Sequence, residues 1–314
     1  MIALVTGVAG FIGSHLCEHL VAAGDDVRGV DAFTDYYARA RKEENIASLL
    51  DDPRFSLIEG DIAELPLAPL LDRADVVYHL AAQPGVRSSW GPDFQRYVEH
   101  NVLATQRLLE VSRRYPIRKF VYASSSSVYG DAASYPTSES TCPHPVSPYG
   151  VTKLAAEHLC ALYRVNHSVP TASLRLFTVY GPRQRPDMAF ARLAECAVNG
   201  SAFELYGDGD QTRDCTYVGD VVAAMRAVAT SSWADVANIG GGLRVTMNEA
   251  IAVLSEICGP VEVIRRPRSA GDVRHTGADT RVAAAAFGYR PRTTLEHGLQ
   301  AMVDWERERG ALVA

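Results

Sequence analysis

The sequence predicts an α/β fold, a doubly wound parallel sheet carrying a smaller mixed α/β lobe. Short apolar runs alternate with longer amphipathic stretches through the first half, a glycine cluster follows the first run directly, and the rhythm changes after about residue 178. The chain has 314 residues, 47% of them hydrophobic and 22% charged, enough for one large domain with an appended lobe.

Ile2–Thr6, Val27–Asp31, Phe55–Ile58, Val76–His79, Phe120–Ala123 and Ala172–Leu176 each read as a buried strand. A parallel strand covered on both faces needs no polar alternation. Helical patterns run between them near 12–23, 40–50, 95–114 and 149–167. Gly24 closes the first as a C′ residue, and Ser147-Pro148 opens the last as an N-cap with proline at the first helical position. Beyond residue 178, Pro, Arg and Gly gather in Tyr180–Asp187 and Tyr206–Asp214, and helices are expected near 188–200, 219–230, 246–258 and 294–308. Ala237–Ile239 reads as a late return to the main sheet. The expected division is a domain over residues 1–177, with a return near 236–240, and a lobe formed mainly by residues 178–314.

A net charge of −6 argues against a general nucleic-acid or membrane-surface binder. The six cysteines, at 17, 142, 160, 196, 215 and 258, form no CxxC and no metal-like spacing, so they read as reduced thiols in a cytoplasmic protein without a metal. The apolar start, MIALVTGVAGFIGSHL, lacks a basic leader and is interrupted by glycines, which argues against a signal peptide. No stretch approaches the roughly 18 uninterrupted apolar residues of a membrane helix.

Gly7-Val-Ala-Gly10-Phe11-Ile12-Gly13 leaves the first strand and opens the first helix. Glycines there allow a tight turn and let backbone N–H groups and the positive helix end approach a pyrophosphate. The spacing is GxxGxxG rather than GxGxxG, and the strand–turn–helix context makes it a dinucleotide site on a Rossmann-type sheet. Asp31 closes the second strand, where its carboxylate would accept hydrogen bonds from ribose hydroxyls and repel a 2′-phosphate, which selects NAD over NADP. Asp61 and Ile62 suit an adenine contact, and Leu80-Ala81-Ala82 lets the cofactor lie close.

Tyr149 and Lys153 share one face of the helix that follows Ser147-Pro148. A free phenol has a pKa of about 10 and is a poor base at neutral pH. A neighbouring ammonium and the nicotinamide charge would stabilise the phenolate, and Tyr149 could then take a proton from a hydroxyl whose carbon yields hydride to NAD. Ser124-Ser125-Ser126-Ser127 leaves the fifth strand at the carboxyl edge of the sheet, where ligands bind.

With HLAA, ASSSSVYG, YGVTK, RLFTVYGPRQRP and GDGDQTRDCTYV added to the glycine turn and Asp31, nearly the whole chain resembles the nucleotide-sugar epimerase/dehydratase group of extended short-chain dehydrogenases/reductases. Within that group it looks most like UDP-glucuronate 4-epimerases. The resemblance implies Ser125 as catalytic serine, Tyr149 as base, Lys153 as its support and Asn101 as a residue ordering the cofactor site. It implies a tightly held, recycled NAD, a UDP-sugar substrate and a homodimer formed through the helices near 95–114 and 149–167.

The group's reactions share a first step, oxidation at C4 of the sugar, and diverge at the second. Dehydratases of the group carry Asp-Glu after the catalytic residue, and decarboxylases carry Glu at the second of those positions; here they are Ser126 and Ser127. Epimerisation is the reaction left, with decarboxylation of UDP-glucuronate or 4-epimerisation of a neutral hexose as alternatives, and a non-catalytic NAD sensor as a rival of another class. Arg213 and Arg274 resemble the group's diphosphate ligands. Thr178 and Arg185 match residues that lie by the sugar carboxylate of glucuronate epimerases, and Arg87 and Ser88 are expected to line the same pocket. Gly219 departs from the group, which usually has Asp there.

Overall fold

The computed structural model describes residues 1–132, 134–267 and 273–313. Twelve strands are found among them: β1 Ile2–Thr6, β2 Asp26–Asp31, β3 Phe55–Glu59, β4 Val76–His79, β5 Lys119–Ser125, β6 Thr171–Leu176, β7 Thr178–Tyr180, β8 Phe203–Tyr206, β9 Thr212–Tyr217, β10 Val236–Ile239, β11 Arg244–Thr246 and β12 Val263–Arg266. Seven form one sheet in the order β10-β6-β5-β4-β1-β2-β3, with every pairing parallel. The late return to the sheet is β10, beside β6.

Alternate side chains explain why the central strands are apolar throughout. Val5, Tyr78 and Val121 enter one core with Leu16, Leu20, Val221 and Met225 of helices Phe11–Ala22 and Val218–Thr230. Leu4, Val77 and Phe120 enter the opposite core with Leu108, Leu109, Ala156 and Cys160 of helices Ala104–Ser112 and Pro148–His167. Each face is therefore dry, and the chain crosses from one side of β1 to the other between β3 and β4. That reversal opens a crevice at the carboxyl ends of β1 and β4.

A smaller core gathers Tyr180, Phe190, Leu193, Leu205, Leu254, Leu299 and Met302. Its strands are the mixed set β11-β9-β7 and the parallel pair β12-β8. None of these short strands is predicted by the sequence, and β8 ends and β9 begins inside the Tyr206–Asp214 run where Gly and Arg gather. They hold no continuous apolar run, and pairing partners far along the chain make them form. The helical stretch expected near 95–114 contains a wide π turn over Val98–Leu103, which holds Asn101. No helix among the described residues is long and apolar enough to cross a membrane.

Candidate active site

The crevice encloses about 420 Å³ and runs from the glycine turn to the serine loop. Gly7 has φ +76, and a Cβ there would sit 2.9 Å from the Ala81 amide nitrogen; at Gly13 a Cβ would sit 2.1 Å from the Gly7 carbonyl oxygen. The turn is closed as far as backbone permits. Helix Phe11–Ala22 begins at Gly10 with no side-chain cap and no acidic residue in its first turn, so its leading N–H groups remain available to an anion.

Asp31 lines the crevice and accepts the amides of Ala9 at 2.9 Å and Phe33 at 2.8 Å. Burial pushes its carboxyl above the usual aspartate range, against the pull of those amides and of Lys42. Each oxygen keeps acceptor capacity for a ribose hydroxyl. A dinucleotide fits this half: the turn admits no side chain, and the acidic group stands where a ribose would lie. Asp61, Ile62, Leu80, Ala81 and Ala82 line the wall as expected. Tyr36 and Lys42 also line it and were not anticipated; their only signal is an aromatic-and-cationic run soon after Asp31.

Behind the wall, hydrogen-bond accounting sets a tautomer. Thr6 Oγ1 accepts the amides of Leu80 and Ala81, each at 3.1 Å, so its own proton goes to His79 Nδ1 at 2.9 Å. His79 Nε2 then donates to Thr105 Oγ1 at 2.9 Å, and Thr105 donates to the Asn101 carbonyl at 2.7 Å. Burial pushes His79 down to about 3, so this chain stays neutral at working pH. Asn101 does not line the crevice. Its side chain accepts from the Gln83 amide at 2.7 Å and donates to the Gln83 carbonyl and Thr152 Oγ1, tying the wall loop to the Tyr149 helix from behind. Both ends of the amide are engaged by protein, so Asn101 can order the cofactor site only through the Gln83 loop and the Tyr149 helix.

Ser125, Ser126, Ser127, Tyr149 and Lys153 meet at the inner end. Ser147 caps the Tyr149 helix by accepting from the Gly150 amide at 3.1 Å, and a Cβ at Gly150 would lie 2.5 Å from the Ser127 carbonyl oxygen. That close approach presses the serine loop onto the helix start. The Lys153 ammonium donates to the Ala123 carbonyl at 2.7 Å and lies 4.8 Å from the centre of the Tyr122 ring. Burial pushes it down to about 8. Burial likewise holds the Tyr149 phenol above its ordinary value, while a hydrogen bond with Ser125 and the charge of Arg185 pull it down. The expected lowering by Lys153 is thus not a property of the protein alone, because desolvation outweighs the neighbouring dipoles and charges.

A second cavity of about 490 Å³ shares Tyr36, Thr178 and Arg185 with the first. Arg87, Ser88 and Arg213 line it; the Ser88 hydroxyl is bonded to Tyr97 at 2.7 Å, and the Arg87 guanidinium lies 5.8 Å from the Tyr206 ring centre. Arg274 does not line this cavity. Its side chain pairs with Asp208 at 3.5 Å, and its carbonyl accepts from Arg213 Nη1 at 3.2 Å. Gly271 and Asp272 of its motif lie outside the described residues. Gly219 sits in the first turn of helix Val218–Thr230, ahead of an Asp220 that accepts the amides of Arg292 and Thr293.

Residues 3–240 match the model of the NAD dependent epimerase/dehydratase family. The chain is 44% identical over 300 residues to an uncharacterized UDP-glucose epimerase of Bacillus subtilis strain 168, covering 94% of this chain and 95% of that protein. It is 32% identical over 317 residues to a UDP-glucuronate 4-epimerase of Thermodesulfobacterium geofontis, covering 99% of this chain and 97% of that one. The crystal structure of a UDP-glucuronic acid 4-epimerase from Bacillus cereus, in complex with UDP-glucuronic acid and NAD, superposes with a TM-score of 0.95 at 43% identity over 98% of this chain and 100% of that chain.

Proposed function

Starting from the fact that the chain belongs to the NAD-dependent epimerase/dehydratase family, we propose that it interconverts UDP-glucuronate and UDP-galacturonate by inverting C4 of the sugar. It is a nucleotide-sugar epimerase and its cofactor is NAD; the identity of the sugar is the proposal. When bound, the cofactor supplies reversible acceptance of the C4 hydride.

The residues divide the remaining tasks. Tyr149 takes the C4 hydroxyl proton as the carbonyl forms and gives it back after the keto sugar has turned over, with the Ser125 hydroxyl bridging the two oxygens. No net oxidation results. Turning the sugar demands a firm hold on the part that does not react, which Arg213 and Arg87 suit through the diphosphate. The Arg274 carbonyl orients Arg213.

The observation that carries the choice of a uronate is Arg185, which lines both cavities beside Thr178 and whose charge reaches Tyr149. A guanidinium at the joint between hydride site and sugar site suits a carboxylate on the sugar. The 4-keto form of such a sugar is a β-keto acid, and it loses carbon dioxide fastest when the breaking bond stands perpendicular to the carbonyl plane. Arg185 and Thr178 hold the carboxylate out of that alignment, and Ser126 and Ser127 bring no carboxylate to assist the loss.

Purified protein given UDP-glucuronate without added NAD is expected to form UDP-galacturonate, followed by proton NMR. UDP-xylose as the main product would replace the proposal with decarboxylation. Conversion of UDP-glucose alone would favour the neutral-hexose reading, which the name of the Bacillus subtilis relative supports.

The homodimer belongs to the same reading. On helix Pro148–His167, Val151, Leu162 and Val165 are 48%, 56% and 75% exposed, and Leu103 on the neighbouring helical stretch is 48% exposed. Pairing these helices with a second copy would remove that apolar surface from water. Light scattering is expected to give twice the chain mass, and a monomer at micromolar concentration would remove the dimer.

A further inference from the structure

Arg185 is already held before a substrate arrives. Its Nε and Nη2 donate to the two oxygens of Asp187, each at 3.0 Å. The Tyr36 hydroxyl donates to Asp187 Oδ2 at 3.3 Å, and the Tyr36 ring centre lies 5.6 Å from the guanidinium carbon. A guanidinium is a planar fork with two edges, each able to meet a carboxylate. Asp187 takes the Nε edge. Among the described residues none accepts from Nη1, so the outer edge of Arg185 remains open at the joint of the two cavities.

We infer that Asp187 is a positioning residue for substrate charge: it grips one edge of Arg185 so that the other faces the sugar carboxylate. The inference rests on the reading of Arg185 as partner of that carboxylate. Stability does not explain the pair, since the Asp187 side chain is 42% exposed and ion pairs so open to water contribute little to folding. What the grip supplies is preorganisation. An arginine loses much rotamer freedom on binding a ligand, and one already fixed along its inner edge loses less. Asp187 also places a like charge near the incoming anion. The planar fork keeps the two carboxylates on different edges, so orientation outweighs that repulsion.

Two variants separate orientation from charge. Asp187→Ala removes the grip, and Asp187→Asn keeps one oxygen acceptor while removing the charge. Binding of UDP-glucuronate and of UDP-glucose to the NAD-loaded native protein and to each variant would be measured by calorimetry. Asp187→Ala is expected to weaken UDP-glucuronate about tenfold, the scale of one misdirected charge-assisted hydrogen bond. UDP-glucose, which carries no charge at C6, should change less than about twofold on the same account, and Asp187→Asn, which keeps one of the two acceptors, should weaken UDP-glucuronate no more than Asp187→Ala does. Native affinity for UDP-glucuronate in Asp187→Ala would overturn the inference alone. So would equal weakening of both ligands. A native protein that binds UDP-glucuronate no better than UDP-glucose would overturn the substrate reading itself, and this inference with it.

Discussion

Tyr149→Phe is expected to lower the epimerisation rate by about a thousandfold, within the range that a positioned acid or base contributes, and to leave NAD and nucleotide-sugar binding nearly native. The variant deletes one oxygen. Its ring still packs edge-on against Tyr97, with centroids 6.3 Å apart and planes at 78°, so the helix start and the cavity wall keep their shape. Without the phenol, the C4 hydroxyl proton must leave through Ser125, a much weaker base, or through water. Single-turnover conversion followed by NMR measures the rate, and calorimetry on the same sample measures the binding. Interconversion at native speed would remove Tyr149 from the chemistry. A matching loss of binding would mean that the substitution disturbed the cavity rather than the proton transfer.

Gly13→Ala is expected to yield protein nearly free of NAD, with a clear drop in melting temperature. The added Cβ would lie 2.1 Å from the Gly7 carbonyl oxygen and 2.9 Å from its carbon, both backbone atoms that no rotamer change can move. Helix Phe11–Ala22 must therefore back away from the turn, and the gap opens where the leading N–H groups should meet the pyrophosphate. Overpacking of this kind costs about 1–3 kcal/mol and often more when backbone is struck. Gly24→Ala supplies the contrast: φ is +84, but nothing lies within 4 Å of the new atom. That substitution meets only backbone strain of about 1–2 kcal/mol and should retain NAD. Nicotinamide released on denaturation, assayed beside melting temperature, separates the two. A Gly13→Ala protein isolated with a full complement of NAD would show that the turn has slack the geometry denies.

Both substitutions sit where local sequence carries most information. The strand ends expected at Thr6, Asp31, His79 and Leu176 coincide with those of β1, β2, β4 and β6, each the end of a mainly apolar run long enough to cross the sheet. The cap at Ser147 and the glycine at the end of the first helix were readable for the same reason. β7, β8, β9, β11 and β12 were not, since none of them is a continuous apolar run. Among the site residues, Asp187 left no mark in the sequence that separated it from ordinary loop residues, and Tyr36 only its place in the aromatic-and-cationic run after Asp31. Asn101 was recognisable as a site residue, yet its direction was not: it faces the Gln83 loop and Thr152 instead of the crevice.

The amino-acid order by itself determined the doubly wound sheet, the glycine turn and the shared helix face of Tyr149 and Lys153, because apolar runs, helix capping and turn geometry are settled within a few neighbouring residues. Only the tertiary structure decided how those groups are charged and aimed. Lys153 binds the Ala123 carbonyl thirty positions away, Arg213 is turned by a carbonyl sixty-one positions away, and Asp187 receives the hydroxyl of a tyrosine 151 positions away. Desolvation and hydrogen-bond direction depend on what the folded chain brings alongside each group, and a linear pattern does not contain it.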